Sequence, residues 1–332
     1  MNNCVFKKEK YVLQWHITHL CNLRCTHCYQ EEYARHMEKA DFYSALDKFD
    51  EYVGCRAVIP QINLTGGEPL LHPDFFEFAK AIRKRNYRLG ILTNGTMIDR
   101  ECARKIARLS PVFVQISLDG TQKTHESIRG EGNFKKALDG IDNLKRENVR
   151  VLVSFTAQKI NYKDYSALAK ICRKHNVDKL WWDRIVTSTP DECESSALST
   201  EQFKFLVKKS AAVARRYEFF HKNIEISNQR ALQFLGTHRC GYRCGAGGNL
   251  IIFLADGGVM PCRRLPFVIG NIKEKTLFEI IDESVIMQEL SKIHIPNECS
   301  ACEDWNRCYG GAKCVTYAQT GRLFEKDVNC FK

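Results

Sequence analysis

The chain has 332 residues, of which 44% are apolar, 11% aromatic and 27% charged; these are globular values that exclude a disordered or fibrous chain, and the length suits about two domains. Lys and Arg number 50 against 39 Asp and Glu, a net charge of +11, which permits nucleic acid but fits an acidic peptide or anionic small molecules equally well; a nucleic-acid partner is not the expectation. The 16 cysteines leave two classes open, a disulfide-stapled secreted protein or an intracellular one loaded with metal.

The first 14 residues, MNNCVFKKEKYVLQ, hold no apolar signal core and no small-residue cleavage site. No apolar run approaches the ~18 residues of a membrane span. The expectation is a cytoplasmic protein without a membrane partner, whose thiols stay reduced unless they hold metal. β-branched runs then predict strands at Val12–Thr18, Gln61–Thr65, Arg88–Thr93, Val112–Leu118, Val149–Ala157 and Lys179–Val186. Between them lie amphipathic stretches at Ala40–Tyr52, Asp74–Arg85, Arg100–Leu109, Phe134–Arg146 and Tyr165–His175.

This alternation means βαβ units and a parallel sheet. Six strands are too few for a closed eight-stranded barrel. The expected fold class is therefore α/β, a partial (β/α)6 TIM-type barrel, with chemistry at the C-terminal ends of its strands. Thr187–Ser199 is polar and reads as a loop or lid, and Thr200–Phe220 reads as one helix capped by Ser199 or Thr200. From Cys240 onward Gly, Cys and short strands dominate, with Thr276–Ser291 as one further helix candidate. The domain division is placed at 1–235 and 236–332, the second a small cysteine-rich unit.

Directly after the first strand, Thr18 to Tyr29 reads THLCNLRCTHCY. Cys21, Cys25 and Cys28 have the spacing C-x3-C-x2-C. Three thiolates on one loop can wrap three irons of a cubane and leave the fourth open to a small chelating molecule. The alternative is a partial zinc site, although structural zinc prefers four closed ligands.

This stretch resembles the cysteine loop of the radical S-adenosylmethionine (radical SAM) superfamily, and further elements follow in the expected order. Gly66-Gly67-Glu68-Pro69 ends the second strand as the family's GGEP element does, which implies contact with the methionine amino group. The glycines would allow close backbone approach and Glu68 would accept from a cationic amine. Asn94, in Thr93-Asn94-Gly95, ends the third strand. Ser117 and Asp119 end the fourth, where the resemblance implies contact with the ribose and the methionine carboxylate. Arg129, in His125–Gly130, looks like the arginine that meets that carboxylate, and Tyr29 like the aromatic residue beside the adenine. Each has a plainer alternative: a turn Asn-Gly, a capping Asp, a surface Arg. The implied chemistry is one-electron cleavage of S-adenosylmethionine into methionine and a 5′-deoxyadenosyl radical, which takes hydrogen from a substrate.

The C-terminal cysteines resemble the SPASM extension of radical SAM peptide and protein modifiers. By position, one auxiliary 4Fe–4S cluster would take Cys240, Cys244, Cys262 and Cys314, and the other Cys299, Cys302, Cys308 and Cys330. With the loop cluster this makes three. Two departures stand out. Cys308 and Cys314 are separated by five residues, with Ala312 at the usual ligand position, and Cys240 lies close to Cys244. A zinc ribbon is the alternative for this region.

Cys4, Cys55, Cys102, Cys172 and Cys193 remain, with core packing expected for Cys55, Cys102 and Cys172. The roughly 20 residues before Cys21 leave no room for a winged-helix leader-recognition domain. Arg263-Arg264 follow Cys262 where sulfatase-maturing relatives carry an Asp, which argues against that role. These two arginines are candidates to meet carboxylates.

The function expected from the resemblance is hydrogen abstraction from a ribosomally made peptide, ending in a crosslink, thioether, epimerised residue or other oxidation. A flavodoxin- or ferredoxin-type protein would donate electrons. The second reading is maturation of a small-molecule cofactor of the haem-precursor or quinone type. The third is a non-catalytic electron-transfer protein. No catalytic acid or base is named.

Overall fold

The computed structural model describes residues 9–30, 32–186, 195–220, 223–237 and 241–332. Six strands and six helices build its first half. They are β1 (Glu9–Thr18), α1 (Lys39–Gly54), β2 (Val58–Gly66), α2 (Phe75–Lys84), β3 (Arg88–Thr93), α3 (Arg100–Arg108), β4 (Phe113–Ser117), α4 (Gln122–Arg129), α5 (Asn133–Arg146), β5 (Val151–Ala157), α6 (Tyr165–Lys174) and β6 (Lys179–Arg184). A long helix α7 (Thr200–Phe219), short β7 (Glu225–Ser227), β8 (Leu250–Phe253), β9 (Gly258–Met260) and β10 (Gly270–Asn271) follow.

All ten strands form one sheet in the order β10-β9-β8-β1-β2-β3-β4-β5-β6-β7. The run from β8 through β1 to β7 is parallel, and β9 and β10 turn back antiparallel. The sheet is an open α/β barrel wall as expected, with two more parallel strands than the six expected. β7 and β8 have only three and four residues, too short to show an alternating pattern. β8 also carries the C-terminal region into the main sheet by pairing with β1.

Side chains on β1 alternate. Tyr11, Leu13, Trp15 and Ile17 enter the core under α1, where Trp15 stacks on Phe42 at 4.4 Å and Phe42 on Phe78 at 3.8 Å. Gln14, His16 and Thr18 face the other way, into the barrel interior. On β6 the same alternation sends Trp182 into the core and Trp181 and Asp183 inward.

Three of the helices stop in one way. Asn86, Asn148 and Asn176 take a left-handed φ of 53–59° two residues after α2, α5 and α6. The next residue then donates its N–H five positions back, Tyr87 to Ile82, Val149 to Leu144 and Val177 to Cys172. This double-bonded stop suits Asn and feeds an apolar residue straight back toward the sheet. α7 begins with a reciprocal cap between Ser199 and Gln202, as the sequence predicts. The Thr276–Ser291 stretch divides at Ser284 into a five-residue π-turn and a short helix, Val285–Ser291.

The C-terminal residues are fastened to the end of β6. Arg184 donates to both carboxylate oxygens of Asp327 at 2.6 and 2.8 Å and to Asn329 at 2.8 Å, with all three residues buried. Asp327 also accepts from the Ala312 N–H. Removing one partner leaves a buried unpaired charge, which typically costs about 3–5 kcal/mol. Asp327→Ala is therefore expected to lower the unfolding free energy by about that amount, read from urea titration against the unaltered chain.

Candidate metal centre at the strand ends

The loop after β1 is fixed from both sides. Gly67 donates its N–H to Thr18 O at 2.8 Å and Glu68 to Leu20 O at 2.7 Å, while His19 N–H donates to Arg35 O at 2.7 Å. A Cβ on Gly67 would lie 2.7 Å from the His19 carbonyl and closer still to that of Leu20, and one on Gly66, at φ +148°, would strike the Thr18 carbonyl. The two glycines are thus required by the approach of this loop's own backbone.

On that loop Cys21, Cys25 and Cys28 stand within electrostatic reach of one another. Burial pushes the Cys21 and Cys25 thiols up. N–H groups turn toward the sulfurs: Leu23 N–H lies 3.4 Å from Cys21 Sγ, Asn94 Nδ2 4.0 Å from the same sulfur, and Arg129 Nη1 3.7 Å from Cys25 Sγ.

The other predicted residues surround this loop. The fully buried Glu68 carboxylate accepts from Leu70 N–H at 3.2 Å, Thr93 Oγ1 at 2.7 Å and Asn94 N–H at 2.8 Å. It therefore ties the ends of β2 and β3 together, with three of its acceptor positions used by the chain.

The Asn94 amide reaches Asn22 Oδ1 at 2.9 Å, and its Oδ1 closes a turn on Thr96. Asp119 is sealed as well: Arg129 Nε donates to Oδ2 at 2.6 Å and Thr156 N–H to Oδ1 at 2.9 Å. Burial raises the Asp119 carboxyl, but the Arg129 and His27 charges and the Thr156 bond overcome it and hold the group below its ordinary range. Asp119 therefore orients Arg129. Ser117 faces inward, with Ser154 Oγ 3.5 Å away. Tyr29 is 42% exposed, with the Arg263 guanidinium over its ring at 4.4 Å.

The C-terminal cysteines separate into two groups. Cys314 lies within electrostatic reach of Cys262 and Cys244, and Cys299 and Cys308 of Cys330, with Cys302 beside Cys299. Burial pushes the Cys314 and Cys308 thiols up to about 12. Cys240 and Cys193 fall outside the described residues, as does most of the Thr187–Ser199 loop. The thirteen described cysteines are all free thiols. Cys172 is buried in the core as expected, Cys102 is partly buried, and Cys55 is exposed at the end of α1 rather than packed.

The donor chemistry fits iron–sulfur ligation: the converging groups are sulfurs, and N–H donors of the kind that set cluster potentials lie beside them. Arg264 meets a carboxylate as expected, donating to Asp183 at 2.5 Å. Two surface grooves of about 540 and 520 Å³ lie away from these groups, between α6 and α7.

Two histidines escaped the sequence reading. His27, between Cys25 and Cys28, is pushed down to about 4 by burial despite Asp119 3.6 Å away. His16, on the inward face of β1, is held well below its ordinary value, and its Nε2 has no hydrogen-bond partner among the described residues. The inward register of His16 was readable from strand alternation; nothing in the local sequence marked His27.

Burial raises Glu68 to about 7 against three hydrogen bonds that lower it. A carboxyl raised above its unfolded value of 4.5 favours folding in its protonated form. That contribution is complete below about 4.5 and lost as pH rises through about 7. The unfolding free energy of the unloaded chain should fall by about 2–3 kcal/mol between about pH 5 and pH 8 from this group. Glu68→Gln should flatten that part of the profile in urea titrations at both pH values.

Comparison with known proteins agrees with this arrangement. The radical SAM superfamily profile matches residues 15–172 and the SPASM iron–sulfur cluster-binding profile residues 244–303. The chain is 32% identical over 185 residues to the Fe-coproporphyrin III synthase of Methanosarcina barkeri, a match that spans 54% of this chain and 45% of that one. It is 28% identical to the mycofactocin maturase MftC of Mycobacterium tuberculosis, over 96% of this chain and 82% of that one. Streptococcus suis SuiB has the same fold, with TM-score 0.79 over 98% of this chain and 78% of that one at 15% identity when bound to S-adenosylmethionine. A second SuiB structure holds the precursor peptide SuiA. With the cysteine loop after β1, the strand-end elements and a second cysteine region in one sheet, this chain carries a radical SAM domain over residues 15–172 and an iron–sulfur SPASM domain over residues 244–303.

Proposed function

We propose that residues 1–235 generate the radical and 236–332 hold two auxiliary clusters, making three 4Fe–4S clusters in all. Cys21, Cys25 and Cys28 hold the cluster that binds S-adenosylmethionine. Cys240, Cys244, Cys262 and Cys314 hold one auxiliary cluster, and Cys299, Cys302, Cys308 and Cys330 the other. The observation that carries this reading is the grouping of the described thiols into three separate sets, with Cys314 beside Cys262 and Cys244 although it follows Cys308 in the chain.

When bound, the reduced cluster and S-adenosylmethionine supply a 5′-deoxyadenosyl radical that removes a substrate hydrogen. The chain's own residues bind and orient. The partly exposed Gly66–Gly67 backbone borders the cysteine loop, Ser117 offers a hydroxyl to the ribose, and Tyr29 offers the adenine the ring face that Arg263 leaves uncovered. Asn94 and Arg129 direct N–H groups at the cluster, and Asp119 fixes Arg129. A flavodoxin- or ferredoxin-type donor in the cytoplasm supplies the electron.

The substrate is a ribosomally made peptide. The full-length similarity to MftC and the fold shared with SuiB support this reading. The second reading is a tetrapyrrole, favoured by the similarity to the coproporphyrin enzyme over half the chain.

Anaerobically prepared protein is expected to hold about twelve iron and twelve sulfide per chain. Stoichiometric zinc with little iron would overturn the assignment. Changing Cys21, Cys25 and Cys28 together to Ala should remove one cluster and abolish 5′-deoxyadenosine formation while the other two remain; persistent formation would contradict it.

Turnover with candidate precursor peptides should remove two hydrogens or introduce a solvent deuteron, read by mass spectrometry. Deoxyadenosine coupled instead to a mass change in Fe-coproporphyrin III would favour the tetrapyrrole.

A further inference from the structure

Four arginines stand where the strand ends meet the C-terminal region, and two of them are already committed. Arg129 is paired with Asp119 at 2.6 Å. Arg264 holds Asp183 at 2.5 Å and donates to the Arg184 carbonyl at 2.6 Å. Arg230, in the loop after β7, and Arg263, beside Cys262, are placed differently.

Arg230 lies over the ring of Trp181 at 4.5 Å. Its one ion-pair partner among the described residues is Asp183 at 4.0 Å, which Arg264 already occupies. Arg263 lies over the Tyr29 ring at 4.4 Å. It has no ion pair among the described residues, and its Nε is buried without a hydrogen-bond partner. Stacking on an aromatic face uses the flat side of a guanidinium and leaves its in-plane N–H groups free. Both cations are thus held in place with their donor edges uncommitted. Trp181 faces the barrel interior and Tyr29 follows the last cysteine of the loop, so the two mark the mouth through which a substrate reaches the radical.

We propose that Arg230 and Arg263 form a carboxylate-recognition site at the barrel mouth, the determinant that selects an acidic substrate and sets its depth. A planar fork of N–H donors matches a carboxylate in two-bond geometry. Asp183 is already neutralised by Arg264, so Arg230 keeps its charge for an incoming carboxylate. The site rests on the radical-enzyme reading but not on which substrate it takes, because acidic side chains of a peptide and propionates of a tetrapyrrole offer the same group.

The test uses full-length, cluster-loaded protein with S-adenosylmethionine present. The probes are an equimolar pool of Asp- and Glu-containing synthetic decapeptides, the same pool methyl-esterified, Fe-coproporphyrin III, and its tetramethyl ester. Peptide retention is read by mass spectrometry and porphyrin binding by absorbance titration. The unaltered protein should bind the free acids of one class at least tenfold more tightly than their esters. Arg230→Gln and Arg263→Gln should each remove about tenfold of that preference while leaving ester binding, iron content and S-adenosylmethionine affinity unchanged. The Lys variants should restore part of it, since the charge returns without the fork.

Arginine-dependent binding of the porphyrin alone would uphold the site and overturn the peptide reading; binding of the peptides alone would uphold both. Three results would overturn the proposal. They are variants that bind acids and esters as the unaltered chain does, no binding of any probe to the unaltered chain, or a loss that appears in S-adenosylmethionine affinity, which would assign Arg263 to that cofactor's carboxylate.

Discussion

The mouth of this barrel depends on how near the Gly66–Gly67 backbone can lie to the cysteine loop. Two N–H groups, of Gly67 and Glu68, bind carbonyls of Thr18 and Leu20, and any side chain on either glycine would collide with that backbone. The contact fixes where the loop starts, hence where Cys21, Cys25 and Cys28 can stand. The next residue extends the register outward: Glu68 collects donors from Thr93 and Asn94, so the end of β3 is set by the end of β2. Asn94 then returns to Asn22, closing a circuit from β1 to β2 to β3 and back to the loop. The links from β1 through β3 are backbone or buried contacts, and only the return to Asn22 is a side-chain bond near the surface.

Burial opposes ionisation of the thiols that a metal cluster needs as thiolates. The Cys21–Cys28 loop and the Cys244–Cys262–Cys314 group answer this with arginine. Arg129 lowers Cys25, and Arg264 lowers both Cys262 and Cys314. Each arginine is oriented by one carboxylate, the fully buried Asp119 or the partly buried Asp183, whose carboxyl is held below its ordinary range. The Cys299–Cys330 group is different. Cys308 faces Asp327, which raises it further, and the favourable charge near Cys299 is Lys326.

Much of this was legible in the sequence because it depends on local pattern. The six main strands lie within a few residues of where β-branched runs put them, and C-x3-C-x2-C, GGEP and the strand-end Asn94, Ser117 and Asp119 all fall at C-terminal strand ends. α4 was missed because QKTHESIR is too polar and short to show a helical period. β7 and β8 were missed as barrel strands because three or four residues cannot alternate convincingly. The chain partners of Glu68 and Asp119 were not legible, for one shared reason. A carboxylate at a strand end reads from sequence as ligand-facing, whereas burial and the nearest chain donors, Thr93 and Arg129, decide where its lone pairs go. The division at residue 235 followed composition, and composition carries no trace of β8 joining β1.

The coupling of the two cysteine regions rests on one dipeptide. Asp183 and Arg184 end β6, and strand alternation sends them to opposite faces. Each meets the opposite charge from the C-terminal region: Asp183 takes Arg264, two residues from Cys262, and Arg184 takes Asp327, three residues from Cys330. Two ion pairs on opposite faces of one strand resist rotation in both senses, so both C-terminal cysteine groups are indexed to the same strand end. Exchanging the dipeptide would set arginine against arginine and aspartate against aspartate, with the first of these clashes at the inward face and the second buried. Orientation of the C-terminal region is in this way encoded by charge order along a strand. Arg263, next to the inward pair, then reaches across to Tyr29 and brings the first auxiliary group up to the cysteine loop.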